Sequence, residues 1–281
     1  MYFRPTRLDE ATAILAAQPV QILAGGTDFF PALGERRIHS SVLDLSGLSS
    51  LKGIHREANW IRIGGLTTWS EIIASDLPRC FDALKAAARE IGGVQIQNRG
   101  TIAGNICNAS PAADGIPPLL ALEAEVELVS KKSPRRLPLS EFIVGNRKTK
   151  RRSDEILAGI FVPRTIEDAR SAFVKLGARR YLVISIAMVA AVVKTDPAGL
   201  ISDVRVAVGS CSARAQRLME LEQDLVGRPA NASCEFVLSE KHIARLSPIS
   251  DVRATADYRR DACLTLIARA LTTCAGVRQI W

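Results

Sequence analysis

The sequence predicts a mixed α+β protein of about two domains. The chain has 281 residues, of which 47% are hydrophobic and 23% charged, a composition typical of a globular protein with a substantial core. Some segments place apolar residues at helical spacing and others alternate them at period two. Val162 and Pro163 follow a basic, loop-like stretch and indicate a domain boundary.

The chain begins with a predicted helix. Thr6 and Asp9 have the spacing of a capping box, so Thr6 is expected to cap the first turn. Leu8, Ala11 and Leu15 would then share one face of this helix and point toward the core.

Strands and further helices alternate along the rest of the chain. Strands are predicted at residues 20–24, 42–45, 125–129, 171–176, 183–193 and 204–208, with a hairpin over 54–63. One helix is expected to begin near Thr68, a second to bury Phe81, Leu84, Ala88 and Ile91 before Gly92 and Gly93, and a last one to bury Cys263, Ile267, Leu271 and Cys274.

Charge and composition exclude several classes of function. The net charge of +8 favours anionic cofactors, acidic protein partners or nucleic acid, but 5% aromatic residues leave little material for stacking bases, so no nucleic acid is predicted. The six cysteines form no C-x-x-C pair and the three histidines are isolated, so we predict no metal site on this chain. The G-x-S-x-G motif of many hydrolases is absent.

The sequence also predicts a cytoplasmic location. Its amino terminus lacks the apolar region of a signal peptide, and the cysteine spacing suits reduced thiols. The longest apolar run, residues 183–193, is too short to span a membrane.

Two glycine-bearing segments carry the strongest functional signal. The first is Leu23-Ala24-Gly25-Gly26-Thr27-Asp28-Phe29, and the second is Thr101-Ile102-Ala103-Gly104-Asn105, followed by Ser110 and Asp114. Glycine lets the backbone approach a ligand closely, and a run of free N–H groups in such a loop binds anions. Together the segments could hold the two phosphates of a dinucleotide from opposite sides.

Simpler interpretations stand beside this one. A glycine pair most often marks a turn, Asp114 could be a helix cap before Pro117, and Lys175 could be a surface lysine. Cys107 could face a cofactor or act as a small buried filler. Five of the six residues at 147–152 are basic and form either a solvated loop or a contact with an acidic partner.

A family resemblance runs nearly from end to end. It is carried by Phe3-Arg4-Pro5, the two glycine segments, Ile63-Gly64-Gly65-Leu66-Thr67-Thr68, Gln97-Asn98-Arg99-Gly100, Asp154-Glu155-Ile156-Leu157, Lys175-Leu176-Gly177-Ala178-Arg179-Arg180, Tyr258-Arg259-Arg260 and Arg269-Ala270-Leu271. In their order and spacing these motifs resemble the FAD-binding medium subunit of the molybdenum hydroxylases, of the carbon monoxide dehydrogenase and xanthine dehydrogenase type.

The resemblance implies a two-part α+β fold. Residues 1–165 would form an FAD-binding domain of the vanillyl-alcohol oxidase (PCMH) type. Residues 170–281 would form a small α+β carboxy-terminal domain, with an antiparallel sheet plus helices, like that of the carbon monoxide dehydrogenase flavoprotein. A Rossmann fold is not expected, because no G-x-G-x-x-G follows a predicted strand.

The resemblance also assigns cofactor-binding residues. The FAD pyrophosphate would be wrapped by Ile22, Leu23, Ala24, Gly25, Gly26, Thr27, Asp28 and Phe29, and the cradle completed by Thr101, Ile102, Ala103, Gly104 and Asn105. Ser110 and Asp114 would bond the ribityl or diphosphate region, Leu157 would pack near the flavin or adenine end, and Lys175 would approach the isoalloxazine ring. Ala103 stands where many relatives have glycine, and no side chain is expected to be catalytic.

Its implied function is electron transfer within a larger oxidoreductase. The partners would be a large subunit with the molybdenum cofactor and a small subunit with 2Fe-2S clusters, assembled as a dimer of heterotrimers. Electrons would pass from the iron–sulfur clusters through FAD to an external acceptor. A self-contained flavin oxidase or reductase, and a non-catalytic nucleotide-binding protein, are the alternatives.

Overall fold

The computed structural model describes residues 1–230 and 237–276. Within these ranges the chain forms four sheets flanked by helices, arranged as two packed lobes. None of the helices described there is both long and apolar enough to cross a membrane.

A three-stranded parallel sheet opens the first lobe. Its strands are β1 (Tyr2–Phe3), β2 (Gln21–Leu23) and β3 (Val42–Asp44), in the order β1-β3-β2, and it is accompanied by helices α1 (Leu8–Ala17) and α2 (Phe29–Leu33). Ala11 and Leu15 of α1 pack with Leu43 of β3 in one buried cluster. The helical face predicted for α1 is confirmed.

The capping box predicted at Thr6 is wrong. Arg7, not Thr6, is the residue before the first turn of α1, and no side chain caps that turn. Asp9 pairs with its neighbour and not with Thr6: its carboxylate accepts hydrogen bonds from the Arg7 guanidinium at 3.0 and 2.6 Å.

A five-stranded antiparallel sheet forms the centre of the first lobe. Its strands are β4 (Ile54–Arg56), β5 (Trp60–Gly64), β6 (Glu125–Val129), β7 (Pro134–Pro138) and β10 (Ile156–Pro163), in the order β4-β5-β10-β6-β7. The central strand β10 is buried from Ile156 to Val162, because it pairs with β5 on one side and with β6 on the other and its side chains are buried on both faces of the sheet. The predicted hairpin over 54–63 and the strand at 125–129 are confirmed.

Short helices surround this sheet. They are α3 (Trp69–Ala74), α4 (Asp82–Glu90), α5 (Val94–Gln97), α6 (Ile102–Asn108), α7 (Ile116–Ala121) and α8 (Leu139–Phe142), with a small hairpin of β8 (Ile143–Gly145) and β9 (Lys148–Thr149). Thr68 caps α3 in a full capping box with Glu71. Helix α4 ends before Gly92, which adopts a left-handed φ of +57°.

The second lobe is an antiparallel sheet covered by helices, as predicted. Its strands are β11 (Arg170–Leu176), β12 (Ala187–Thr195), β13 (Ile201–Gly209) and β14 (Gln216–Arg217), followed by α9 (Met219–Leu225), α10 (Glu240–Ile243) and α11 (Ala256–Cys274). The strand predicted at 183–193 begins only at Ala187. The preceding residues leave the sheet, with Ile184 exposed and the Ser185 hydroxyl turned to Asp114.

Apolar packing and ion pairs join the two lobes. Helix α7 lies against β12 and β13, and Ala190 and Val192 of β12 belong to the core cluster of the first lobe. Glu123, just after α7, pairs with Arg205 at 3.2 Å and with Arg217 at 2.7 Å from the second lobe.

Candidate functional site

A large cavity opens beside the first glycine segment. Its volume is about 1310 Å³. It is lined by strand β2, helix α2, residues 36–40 and helix α6, with Trp69, Ile91 and Ile96 on another wall. A cavity of this size and mixed lining is typical of a site for a large organic cofactor.

The first glycine segment turns directly from β2 into the cavity wall. Gly26 has a φ of +79°, which an L-amino acid adopts only with strain. Among the residues that the structure describes, the N–H groups of Gly25, Gly26 and Thr27 donate to no protein acceptor. They form a row of backbone donors suited to an anion.

The second glycine segment is the first turn of α6 and not an open loop. Thr101 caps this helix by accepting a hydrogen bond from Gly104 N–H at 3.1 Å. The N–H groups of Ile102 and Ala103 donate to the carbonyls of Thr67 and Gly65, each at 3.0 Å. The free N–H groups expected in this segment are therefore already bonded within the protein.

The first glycine segment touches Arg99 and Gly100, which directly precede the second. A Cβ atom added to Gly25 would lie 1.9 Å from the carbonyl oxygen of Arg99 and 3.1 Å from the Cα of Gly100. Only glycine allows the two backbones to approach this closely. The contact brings segments about 75 residues apart in sequence to one wall of the cavity.

The cavity lining is basic. Its charged residues are Arg36, Arg37, Arg147, Arg151 and the acidic Asp28, with His39 beside them. The Arg147 guanidinium donates to Asn108 Oδ1 at 2.5 Å, and that of Arg151 to the carbonyl of Glu155 at 2.9 Å. These bonds hold the side chains of two arginines at the cavity, where positive charge attracts an anionic ligand.

Twelve of the residues predicted to bind the cofactor line this cavity. They are Ile22, Ala24, Gly25, Gly26, Thr27, Asp28, Phe29, Thr101, Ala103, Gly104, Asn105 and Leu157. Cys107 also lines it and is only partly buried, so it faces the cavity more than a filler would. Burial raises the pKa of the Cys107 thiol to about 11, which keeps it protonated at neutral pH.

The other five predicted residues lie outside the cavity lining. Ile102 is fully buried in the core, Leu23 is half-buried in β2, and the Ser110 hydroxyl accepts a hydrogen bond from Ala112 N–H at 3.2 Å. Asp114 and Lys175 bind each other instead. No side chain caps α7, so the interpretation of Asp114 as a helix cap is wrong.

Asp114 and Lys175 form a buried ion pair between the lobes. Lys175 Nζ lies 2.7 Å from Asp114 Oδ2, and the two side chains are 6% and 9% exposed. Lys175 also donates to the carbonyl of Glu90 at 3.3 Å, and the Ser185 hydroxyl donates to the other oxygen of Asp114. Burial raises the pKa of Asp114, although the charge of Lys175 opposes this. Lys175 is therefore no surface lysine.

Comparison with known proteins identifies the family. Residues 1–165 match the family described as the FAD binding domain in molybdopterin dehydrogenase, and residues 172–274 match the carbon monoxide dehydrogenase flavoprotein C-terminal domain. This chain belongs to the FAD-binding subunits of the molybdenum hydroxylases. The predicted resemblance and fold class are thus confirmed.

Named relatives of this FAD-binding subunit cover almost its whole length. It is 33% identical over 278 residues to the xanthine dehydrogenase FAD-binding subunit of Escherichia coli O157:H7, covering 96% of this chain and 94% of the relative. It is 31% identical over 281 residues to the nicotine 6-hydroxylase medium subunit of Paenarthrobacter nicotinovorans, with 99% and 97% covered. A carbon monoxide dehydrogenase structure from Hydrogenophaga pseudoflava has a chain with TM-score 0.88 and 27% identity, with 99% and 98% covered.

The cavity of the FAD-binding subunit fits a dinucleotide. Its basic lining complements two phosphates, and the row of N–H groups at Gly25 to Thr27 offers donors for them. Asn105 Oδ1 is buried and has no hydrogen-bond partner among the described residues, so it can accept a bond from a ligand. Apolar side chains such as Ile22, Leu66 and Trp69 can cover the rings.

Two arginines of the basic run at 147–152 are expected to help hold FAD in this subunit. Replacing Arg147 or Arg151 by Gln should weaken FAD binding by roughly ten- to hundredfold, because a charge-assisted hydrogen bond contributes about 1.5–3 kcal/mol. The loss should shrink as salt is added. Titration of the apoprotein with FAD, followed by flavin fluorescence, measures the Kd.

Lys148→Gln is the matched control, since Lys148 is exposed and does not line the cavity. A control variant that loses as much affinity as Arg151→Gln would contradict the assignment. From the sequence, residues 147–152 are predicted to be a solvated loop or a partner contact. The sequence does not predict that Arg147 and Arg151 line the cavity.

Sequence reasoning missed several lining residues of the FAD-binding subunit. Arg36, Arg37 and His39 follow α2 and were not singled out, although two adjacent arginines after a glycine loop are a readable charge signal. Trp69 and Ile96 are the harder cases. They come to the cavity through the packing of α3 and α5, which no local pattern reveals.

Proposed function

We propose that this chain is the electron-transfer subunit of a molybdenum-containing hydroxylase. Electrons from 2Fe-2S clusters on a small partner subunit would reach an external acceptor by way of the FAD on this chain. A large partner subunit would hold the molybdenum cofactor and oxidise the substrate. The assembly would be a dimer of heterotrimers in the cytoplasm.

The observation that carries this proposal is the basic cavity where the first glycine segment meets the residues directly before the second. Gly25 and Gly26 bring the backbone to the ligand, and Arg147 and Arg151 supply positive charge beside it. The relatives named as medium and FAD-binding subunits support a place in a larger complex. None of these residues selects the substrate, since the substrate would bind to the partner that holds molybdenum.

The residues of this chain would bind and orient the cofactor. When bound, FAD supplies redox chemistry that accepts and releases electrons one or two at a time. Backbone donors at Gly25 to Thr27 would fix the diphosphate, and Asn105 would accept one hydrogen bond. Trp69, Ile91 and Leu157 would exclude water from the rings. No side chain is proposed as nucleophile or general base.

We also propose a division of the chain at residues 165 and 170. The first part, 1–165, would be the FAD-binding domain, and the second part, 170–281, would dock it against the partners. A short 3₁₀ segment, Arg164–Ile166, and the turn before β11 lie at this point. Residues 231–236 and 277–281 of the second part lie outside the described residues.

The partner assignment can be tested by capturing this chain from its native host. A tagged chain should bring down one large and one small subunit and should be yellow from bound flavin. The chain purified alone and loaded with FAD should show no substrate oxidation until both partners are added.

Two other outcomes would reject the proposal. A chain that oxidises substrates by itself would be a self-contained flavin oxidase or reductase. A chain that holds a nucleotide, remains colourless and has no redox activity in any complex would be a non-catalytic nucleotide-binding protein.

A further inference from the structure

Two buried cysteines of the second lobe lie in direct contact. Cys211 follows β13, and Cys263 lies in the first half of α11, separated from it by 52 positions in sequence. Their Sγ atoms are 3.1 Å apart, and both residues are at most 1% exposed. A disulfide bond of about 2.05 Å needs the sulfurs to approach by only about 1 Å more.

Positive charges beside the pair favour a thiolate on either cysteine. The hydrogen bond from the Cys263 thiol lowers the pKa of Cys211, and the positive charges of Arg259 and Arg260 lower it further, against the effect of burial. The pKa of Cys263 is raised by the same hydrogen bond. We assign the attacking thiolate to Cys211, whose pKa is the lowered one of the two, and the resolving thiol to Cys263.

Two unpartnered polar groups accompany the cysteines. Among the described residues, Ser210 Oγ and Arg259 Nε are buried and have no hydrogen-bond partner. Ser210 is adjacent to Cys211 in the chain, and an Arg259 nitrogen, Nη1, lies 3.3 Å from the Ser210 carbonyl oxygen. Ser210 is 8% and Arg259 2% exposed. Buried donors of this kind are normally satisfied by a small polar molecule such as water.

We propose that Cys211 and Cys263 are a redox-active dithiol that hydrogen peroxide converts into an intrachain disulfide. This site is independent of the FAD cavity and of the proposed electron-transfer function.

The reaction balances in two steps. The Cys211 thiolate attacks one oxygen of the peroxide, an S–O bond forms, the O–O bond breaks, and the released hydroxide takes up a proton to give water. The Cys263 sulfur then attacks the Cys211 sulfenic acid, an S–S bond forms, the S–O bond breaks, and the hydroxide leaves as water with the proton of Cys263. Two thiols are oxidised and one peroxide is reduced to two waters.

Cys80 and Cys107 lack this arrangement. Burial raises the pKa of Cys80 to about 12 and that of Cys107 to about 11. Neither has another sulfur at hydrogen-bond distance among the described residues. Both should therefore remain thiols under oxidant concentrations that close the Cys211–Cys263 pair, and they provide internal controls.

A disulfide here would tie α11 to the turn that touches the first lobe. Ser210 N–H donates to the carbonyl of Pro111 at 3.0 Å, directly beside Cys211. Closing a loop of 52 positions restrains the unfolded chain and should raise the thermal midpoint by about 5 °C or more.

Peroxide treatment of the reduced, full-length chain tests the proposal. After alkylation and digestion, mass spectrometry should find the peptides of Cys211 and Cys263 joined, with two hydrogen atoms lost. Cys80 and Cys107 should be alkylated. The Cys263→Ala variant should stop at a Cys211 sulfenic acid that dimedone traps, and Cys211→Ala should leave Cys263 a thiol. The midpoint should rise in the wild-type chain and in Cys80→Ser but not in Cys263→Ala.

Two results would overturn the proposal. One is full alkylation of Cys211 and Cys263 in folded, peroxide-treated wild-type chain. The other is oxidation of Cys80 or Cys107 as fast as Cys211, which would show only general damage. Because both results are read from the wild-type chain, a variant that fails to fold does not affect the test.

Discussion

Replacing Gly25 by alanine should abolish retention of FAD. The added Cβ would lie 1.9 Å from the Arg99 carbonyl oxygen and 2.7 Å from its carbonyl carbon, and backbone atoms cannot rotate away as a side chain can. The backbone at Gly25 and the backbone at Arg99 and Gly100 must therefore separate at the wall of the cavity. Overpacking of this kind costs about 1–3 kcal/mol or more, so FAD affinity should fall by roughly 100-fold.

The ratio of flavin absorbance to protein absorbance after gel filtration measures the loss. Gly145→Ala is the control, because a Cβ there would meet nothing within 4 Å. Circular dichroism separates loss of cofactor from loss of fold. Full flavin occupancy in Gly25→Ala would show that the contact of the two segments does not shape the FAD site.

Bulky residues at Gly26 and Gly104 should also reduce FAD retention. A Cβ at Gly26 would meet the Phe30 ring at 2.8 Å in a backbone with φ of +79°, and one at Gly104 would lie 2.9 Å from Thr101 Oγ1. In the first case the loop must change conformation, and in the second the cap of α6 is displaced. If both variants keep full occupancy, the two segments do not form one cradle.

Replacing Lys175 by methionine should destabilise the fold by about 3–5 kcal/mol at neutral pH. Methionine keeps most of the apolar part of the side chain but leaves the Asp114 carboxylate buried and without its cation. The Ser185 hydroxyl would remain as a hydrogen-bond donor to it. Chemical denaturation at pH 7 measures the free energy of unfolding.

The loss should depend on pH in a defined direction. The pKa of Asp114 is already raised by burial, and removal of the lysine charge must raise it further. As pH falls through this raised value, the folded state takes up a proton that the unfolded state does not yet bind. Folding is therefore favoured by acid, and the destabilisation of Lys175→Met should shrink between neutral pH and about pH 5.

A surface pair provides the control. Lys194 pairs with Asp168 at 3.0 Å, with side chains 33% and 67% exposed, so Lys194→Met should cost less than about 1 kcal/mol at any pH in this range. Adding Asp114→Asn to Lys175→Met should recover part of the stability and remove the pH dependence. A loss in Lys175→Met that is constant with pH would mean that lost packing, not the unpaired carboxylate, is responsible.

Local chemistry explains what the sequence could predict. Gly25 and Gly26 alone most often indicate a turn, and only the neighbouring Thr27 and Asp28 together with the second glycine segment predict a ligand loop. The helical face of α11 and the hairpin of β4 and β5 follow from spacing alone. Such signals need only neighbouring residues, and the structure bears out these elements.

Contacts between residues that are far apart in sequence could not be predicted in the same way. Asp114 and Lys175 are 61 positions apart and meet only because the two lobes pack together. Ser185 lies in an apolar run that predicts a strand. Its hydroxyl is the one local indication that this part of the run makes a polar contact. The bonds at Ile102 and Ala103 depend on the carbonyls of Thr67 and Gly65, which reach α6 only through the fold.

The position of β10 has a consequence for synthesis of the protein. This strand lies between β5 and β6 in space but is made after both, so a nascent chain that ends before Ile156 holds two hairpins without their shared neighbour. Each hairpin then exposes an unpaired edge and an apolar face to solvent. Folding of the first lobe must wait until Pro163 has left the ribosome. Translational pausing or truncation shortly before this point should therefore yield aggregates or chaperone-bound chains, not a smaller folded domain.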